Sequence, residues 1–146
     1  YLKGTRYLKL TLCAEQLKFA VHWYIDWSHQ VHDDCRGQTG SLVTFGQGAV
    51  SSSSNKMKCN TKSSTETELI SFADKLAKVI WMQYFIECQG YNIDEYIVFQ
   101  DNMSALSLEK NGRVSSSKRT KHIKAKYFLI KDYYDAKEID LKYCPM

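Results

Sequence analysis

The sequence predicts an α/β domain, a mixed five-stranded sheet flanked by helices, and three observations carry that prediction. Apolar residues alternate through Phe19, Val21, Trp23 and Ile25, the period-two pattern of a strand with two unlike faces. Leu69, Phe72, Ala73, Leu76, Ile80 and Tyr84 recur at steps of three and four, the stripe of a long amphipathic helix. Tyr96-Ile97-Val98-Phe99 is an unbroken apolar run between polar residues, as expected of a strand covered on both faces.

In chain order, residues 1–17 show no sustained period and read as a lead-in, the end of a connection to an upstream domain. Residues 18–146 then form the domain proper. Asp26 is expected to end the first strand, and the polar residues 28–38 to form a loop. Leu42, Val43 and Phe45 lead into Gly46-Gln47-Gly48, a hairpin turn whose glycines tolerate positive φ, and a third strand begins near Ala49. The serine run 51–54 is too short for a linker and reads as a polar strand edge. Ser63-Ser64-Thr65-Glu66 has capping-box spacing, so the long helix starts there and stops near Gln89-Gly90. Asp101 follows the fourth strand. A short helix from Ser104 to Lys110, closed by Asn111-Gly112, a further helix from His122 to Asp135 and a last strand from Glu138 to Tyr143 complete the order. Three strands in hairpins before the first helix predict antiparallel pairing. The strands after it predict parallel pairing.

Of the 146 residues, 44% are apolar and 25% charged, enough for one buried core and a polar surface. No apolar run approaches the roughly 20 residues of a bilayer span, and no secretion signal opens the chain, so an intracellular, soluble protein is expected. Five cysteines without a Cys-x-x-Cys pair argue for free thiols rather than a disulfide framework. The net charge of +4 is unevenly spread. Residues 110–131 hold eight basic side chains and no acid, a segment suited either to a polyanion or to a solvated helix face.

Three acids sit at element ends rather than on plainly polar surfaces: Asp26, Glu68 one turn into the long helix, and Asp101. Singly, each is more often a cap or surface charge. Together they suit phosphodiester hydrolysis by two metal ions, which needs clustered carboxylates to hold cations roughly 3.5–4 Å apart. Oxygen ligands select Mg2+, with Mn2+ as a substitute.

Five segments then show a resemblance. Tyr24-Ile25-Asp26, Gln38-Thr39-Gly40, Lys62-Ser63-Ser64-Thr65-Glu66-Thr67-Glu68-Leu69, Phe99-Gln100-Asp101-Asn102-Met103-Ser104-Ala105 and Arg119-Thr120-Lys121-His122-Ile123 resemble, in order and spacing, the ribonuclease H region of copia-type retrotransposon reverse transcriptases. Tyr1-Leu2-Lys3-Gly4-Thr5 resembles the segment that joins polymerase to ribonuclease H there. The resemblance implies a ribonuclease H-like fold in which Asp26, Glu68 and Asp101 are catalytic, metal-binding acids. Glu68 is the match rather than Glu66, because it directly precedes the helix's first core leucine. The implied reaction is Mg2+-dependent hydrolysis of the RNA strand of an RNA–DNA hybrid, leaving a 3′-hydroxyl and a 5′-phosphate. Lys118, Arg119, Lys121, His122, Lys124, Lys126, Asn102 and Ser104 would contact the nucleic acid. The family's fourth acid falls in an Ala-Asp motif downstream of Met146, so the domain reads as C-terminally truncated. A monomer when isolated, working beside a polymerase in a cytoplasmic virus-like particle or the nucleus, completes the expectation.

Two rival functions have distinct signatures. A relic that only binds nucleic acid would show no Mg2+-dependent cleavage, and a two-carboxylate glycosidase would need no metal. His29, His32 and Cys35 have a spacing that zinc could use with Cys59, but no second ligand pair accompanies them. Trp81, Tyr84 and Phe85 continue the helical stripe and are expected to be core or helix-packing residues rather than base-stacking platforms.

Overall fold

The computed structural model describes residues 3–9, 11, 18–58, 60, 64–111 and 129–145. Its elements follow in the order β1 (Ala20–Ser28), β2 (Gln38–Thr44), β3 (Ala49–Lys56), α1 (Ser64–Cys88), β4 (Glu95–Gln100), α2 (Met103–Asn111) and β5 (Asp140–Tyr143), with residues 129–135 helical between α2 and β5. The strands form one sheet in the order β3-β2-β1-β4-β5. The pairs β1/β2 and β2/β3 are antiparallel, and β1/β4 and β4/β5 are parallel, so the predicted mixed sheet is the observed one. No helix among the described residues is long and apolar enough to cross a membrane.

Gly46 (φ 111°) and Gly48 (φ 82°) make the β2–β3 turn, where a side chain would be strained. At the end of α1, Gly90 at φ 86° lets Tyr91 N–H donate back to Ile86 O, a left-handed helix stop.

The core lies between the sheet and α1. Val21, Trp23 and Ile25 line one face of β1, and they cluster with Phe72, Leu76, Val79 and Ile80 from the helix and Val98 and Leu141 from the sheet. A buried polar pair is locked inside this layer: Trp23 Nε1 donates to the Tyr96 hydroxyl at 3.0 Å, and that hydroxyl donates to Val79 O. Burial pushes the Tyr96 phenol far above its usual pKa, so it stays a neutral donor. Tyr96→Phe is expected to strand the indole N–H and cost about 1–3 kcal/mol in a urea titration; an unchanged midpoint would contradict this pairing.

Three expectations are corrected. Trp81, Tyr84 and Phe85 do not pack in the core but are exposed at 56%, 47% and 47%. With 3.6 residues per turn, Trp81 stands nine residues beyond Phe72, half a turn out of phase, while Val79 and Ile86 take the buried face. Asp26 does not end its strand, because β2 continues to pair as far as Ser28↔Gln38. β5 begins at Asp140 rather than Glu138, since its pairing with β4 starts at Ile97↔Asp140. The serine run does form an edge: Ser53 and Ser51 accept the ammonium groups of Lys75 and Lys78 at 2.9 and 3.1 Å. Ser63 of the capping box, Gly112 and the start of the helix predicted at His122 lie outside the described residues.

Candidate active site

Parallel pairing brings two of the three acids to the same end of the sheet. Tyr24 of β1 faces Phe99 of β4 in register, and Asp26 and Asp101 each stand two residues further along. Tyr24 and Phe99 stack at 5.0 Å, forming the apolar floor beneath them. Asp26 and Asp101 line one cavity of about 110 Å³, with Tyr24, Ile25, Phe99 and Cys144 as its other walls.

Glu68 reaches the same region from the second turn of α1. It is only 3% exposed. Its Oε1 accepts from Asn102 Nδ2 at 2.7 Å, and the Trp27 side chain also donates to it. Desolvation holds its carboxyl above the ordinary value; the two donors oppose that shift, and the charges of Asp101 and Asp26 add to it. The upward push from both aspartates is the electrostatic sign that the three acids share one neighbourhood.

Asn102 ties the helices to this point. Its Oδ1 accepts the N–H groups of Ser104 (2.8 Å) and Ala105 (3.2 Å), capping α2, while its amide nitrogen holds Glu68. Its side chain is therefore occupied within the protein, whereas Ser104 is exposed. The capping role was readable from Asn followed by a helical pattern; the grip on Glu68 was not, since the two are 34 residues apart. Behind Asp101, Gln100 Oε1 accepts the Asp101 N–H at 3.2 Å, and Gln100 Nε2 donates to the buried Glu109 at 3.4 Å. Nothing in the sequence period signalled Glu109 as buried.

Two oxygens in this group, Glu68 Oε2 and Asp101 Oδ1, are buried with no hydrogen-bond partner among the described residues. Orphaned carboxylate oxygens are costly unless a cation completes them, and all-oxygen donors fit a hard divalent ion. Among the described residues, no three His, Cys, Asp or Glu side chains close on one point as a finished ligand shell. The arrangement is thus a site whose acids are gathered but not drawn together.

The other candidates separate. His32 bonds Gln38 at 2.8 Å, His29 lies 3.3 Å from Thr67, Cys35 is an exposed free thiol and Cys59 is outside the described residues, so no zinc set forms among the described residues. Lys118, Arg119, Lys121, His122, Lys124 and Lys126 also lie outside the described residues. A cavity of about 590 Å³ opens near the start of β4 among Glu87, Asp94, Glu95, Glu138 and Asp140, an acidic lining that repels a polyanion.

No family model matches the chain. It is 37% identical over 103 residues to the retrovirus-related Pol polyprotein from transposon TNT 1-94 of Nicotiana tabacum, an alignment covering 70% of this chain. The chain spans 8% of that polyprotein's length. Among solved structures, it is similar to LC11-RNase H1 in complex with an RNA/DNA hybrid (TM-score 0.59, 12% identity, 86% of this chain and 85% of that one). It is similar as well to the foamy viral protease-reverse transcriptase in complex with an RNA/DNA hybrid (TM-score 0.57, 14% identity, 94% of this chain and 19% of that one).

Proposed function

Because this chain is a ribonuclease H domain of the retroelement Pol type, we propose that it hydrolyses the RNA strand of RNA–DNA hybrids with Asp26, Glu68 and Asp101 as its metal-binding catalytic acids. The observation that carries this reading is the pair of buried, unpartnered oxygens on Glu68 and Asp101 beside Asp26. Two Mg2+ ions, or Mn2+ in their place, would supply an activated water and stabilise the leaving oxygen. The chain's own residues prepare for them. Asn102 holds Glu68 by Oε1 and Trp27 also donates to this carboxylate, while Oε2 is buried with no partner among the described residues. Gln100 fixes the backbone of Asp101, and the stacked Tyr24 and Phe99 keep the cavity wall apolar, which strengthens charge interactions there.

Lys118, Arg119, Lys121, His122, Lys124 and Lys126 would grip the hybrid's phosphates, and Ser104 would reach its strand from the exposed start of α2. Recognition by backbone shape and 2′-hydroxyls suits a sequence-independent nuclease. A copia-type element and an adjoining polymerase domain that helps hold the template fit the motifs in this chain.

A labelled hybrid incubated with the protein, with and without Mg2+, is expected to be cut only with the metal. Asp101→Asn should slow cutting by more than about a hundredfold, since even outer-shell changes at metal sites cost 10- to 100-fold. Binding without Mg2+-dependent cutting would replace this reading with that of a nucleic-acid-binding relic.

A further inference from the structure

Lys75 is an unusual residue for the middle of α1. It is 9% exposed, yet its ammonium donates to two neutral acceptors, Ser53 Oγ at 2.9 Å and Asn55 Oδ1 at 2.7 Å. An ammonium has three donors, so these bonds leave one N–H and the charge unmatched by either acceptor. Burial lowers its pKa, the nearby Lys78 lowers it further, and Asp74 opposes both. Buried lysines are rare unless something anionic meets them.

Lys75 opens onto a cavity of about 320 Å³ between β3 and α1, which it lines with Lys56, Lys58, Asn55, Thr39 and Asp74. Three lysines and one aspartate thus line it. Lys56 is shared with Asp34 at 2.8 Å, and Lys58 is exposed. The cavity stands at the acidic end of the sheet: Asn55 pairs with Thr39, and Thr39 with Trp27, the neighbour of Asp26. The helix continues the alignment, with Thr39 Oγ1 bonded to Ser71 at 2.8 Å, midway between Glu68 and Lys75. Seven residues of α-helix rise about 10 Å, roughly three nucleotide steps of a duplex strand.

We propose that this cavity is a second backbone subsite, taking one phosphodiester of a nucleic acid on the free N–H of Lys75, with Lys56 and Lys58 at its rim. The proposal rests on the hybrid reading above and adds a contact outside the basic segment 110–131. The polar strand β3 then has a purpose beyond solubility: its serine and asparagine oxygens hold the ammonium in place for an anion.

The test uses the full chain carrying Asp101→Asn, so that a labelled RNA–DNA hybrid is bound without being cut, and fluorescence anisotropy read over a salt series. Lys75→Gln is expected to weaken binding about tenfold near 50 mM salt and to reduce the slope of log affinity against log salt by about 0.9. Lys58→Gln, an exposed change that folding tolerates, should shift the slope in the same direction. Lys18→Gln, at the start of β1 and 66% exposed, should leave it unchanged. A wild-type slope in both Lys75→Gln and Lys58→Gln overturns the subsite, as does an equal loss in Lys18→Gln. Should Lys75→Gln fail to fold, Lys58→Gln against Lys18→Gln decides. Mg2+-dependent cutting by the unmodified chain is scored separately, so a lost slope without cutting keeps the subsite and removes the hydrolysis reading, and the reverse result does the opposite.

Discussion

Glu68→Gln is expected to give a protein that is more stable than the parent in metal-free buffer and more than a hundredfold slower on a hybrid. The substitution keeps the shape and the oxygen that accepts from Asn102, while it removes a nearly buried negative charge that burial and two neighbouring aspartates already disfavour. Relieving such a charge stabilises the fold, within the roughly 0.5–2 kcal/mol of a typical stabilising substitution. The amide would also turn a donor toward the acids in place of the orphaned Oε2. The activity loss follows from the same change, since an amide is a poor ligand for Mg2+ where a carboxylate is required. Cation linkage separates the two effects: at a hundred times its dissociation constant, bound Mg2+ stabilises a folded protein by about 2.7 kcal/mol. The parent should therefore gain thermal stability from millimolar Mg2+ and the Glu68→Gln variant should not. Normal cutting by the variant, or a metal-free midpoint below that of the parent, would refute this account of Glu68.

Glu109 is expected to make the fold weaken as pH rises. Its side chain is fully buried, Gln100 reaches it only at 3.4 Å, and its Oε2 has no partner among the described residues. Desolvation pushes its carboxyl up to about 8, with Gln100 and Lys110 opposing and Glu68 reinforcing the shift. The unfolded group ionises near its ordinary 4.5. Between these two values the folded chain holds a proton that the unfolded chain has lost, so stability falls as pH increases across that window. Above about 8 both states are ionised and the whole penalty, on the order of a few kcal/mol, remains. Glu109→Gln should flatten this dependence and raise stability most at alkaline pH, read as urea midpoints from pH 5 to 9. Parallel profiles for parent and variant would show that Glu109 ionises freely in the folded state. The same residue sits behind Gln100 and Asp101, so a charge forming at Glu109 would loosen the backbone that positions a proposed metal ligand.

Local chemistry made most of the secondary structure legible. Alternation located β1, the three-and-four stripe located α1, and Gly46, Gly48 and Gly90 marked the turns that the backbone makes at positive φ. The same signals misjudged Trp81, Tyr84 and Phe85, because a helical stripe read from spacing alone does not say which side meets the sheet once the phase drifts over 25 residues. Period also could not warn of Glu109 or Lys75, two charged residues on buried helix positions, since a pattern argument treats a charge as a mark of the solvent face.

The three acids stood out along the chain through the motifs around them, although Asp26 lies two residues short of the end of its strand, and the mixed character of the sheet was legible as well. What only the tertiary structure decided is their company. Parallel pairing of β1 with β4 carries Asp26 and Asp101 to one rim, and Asn102 draws in Glu68 across 34 residues. Strand propensity and side-chain chemistry are properties of a few neighbouring residues, and sequence expresses them directly. Burial, orphaned oxygens and shared cavities arise from contacts between segments far apart in the chain, and they exist only once those segments have packed.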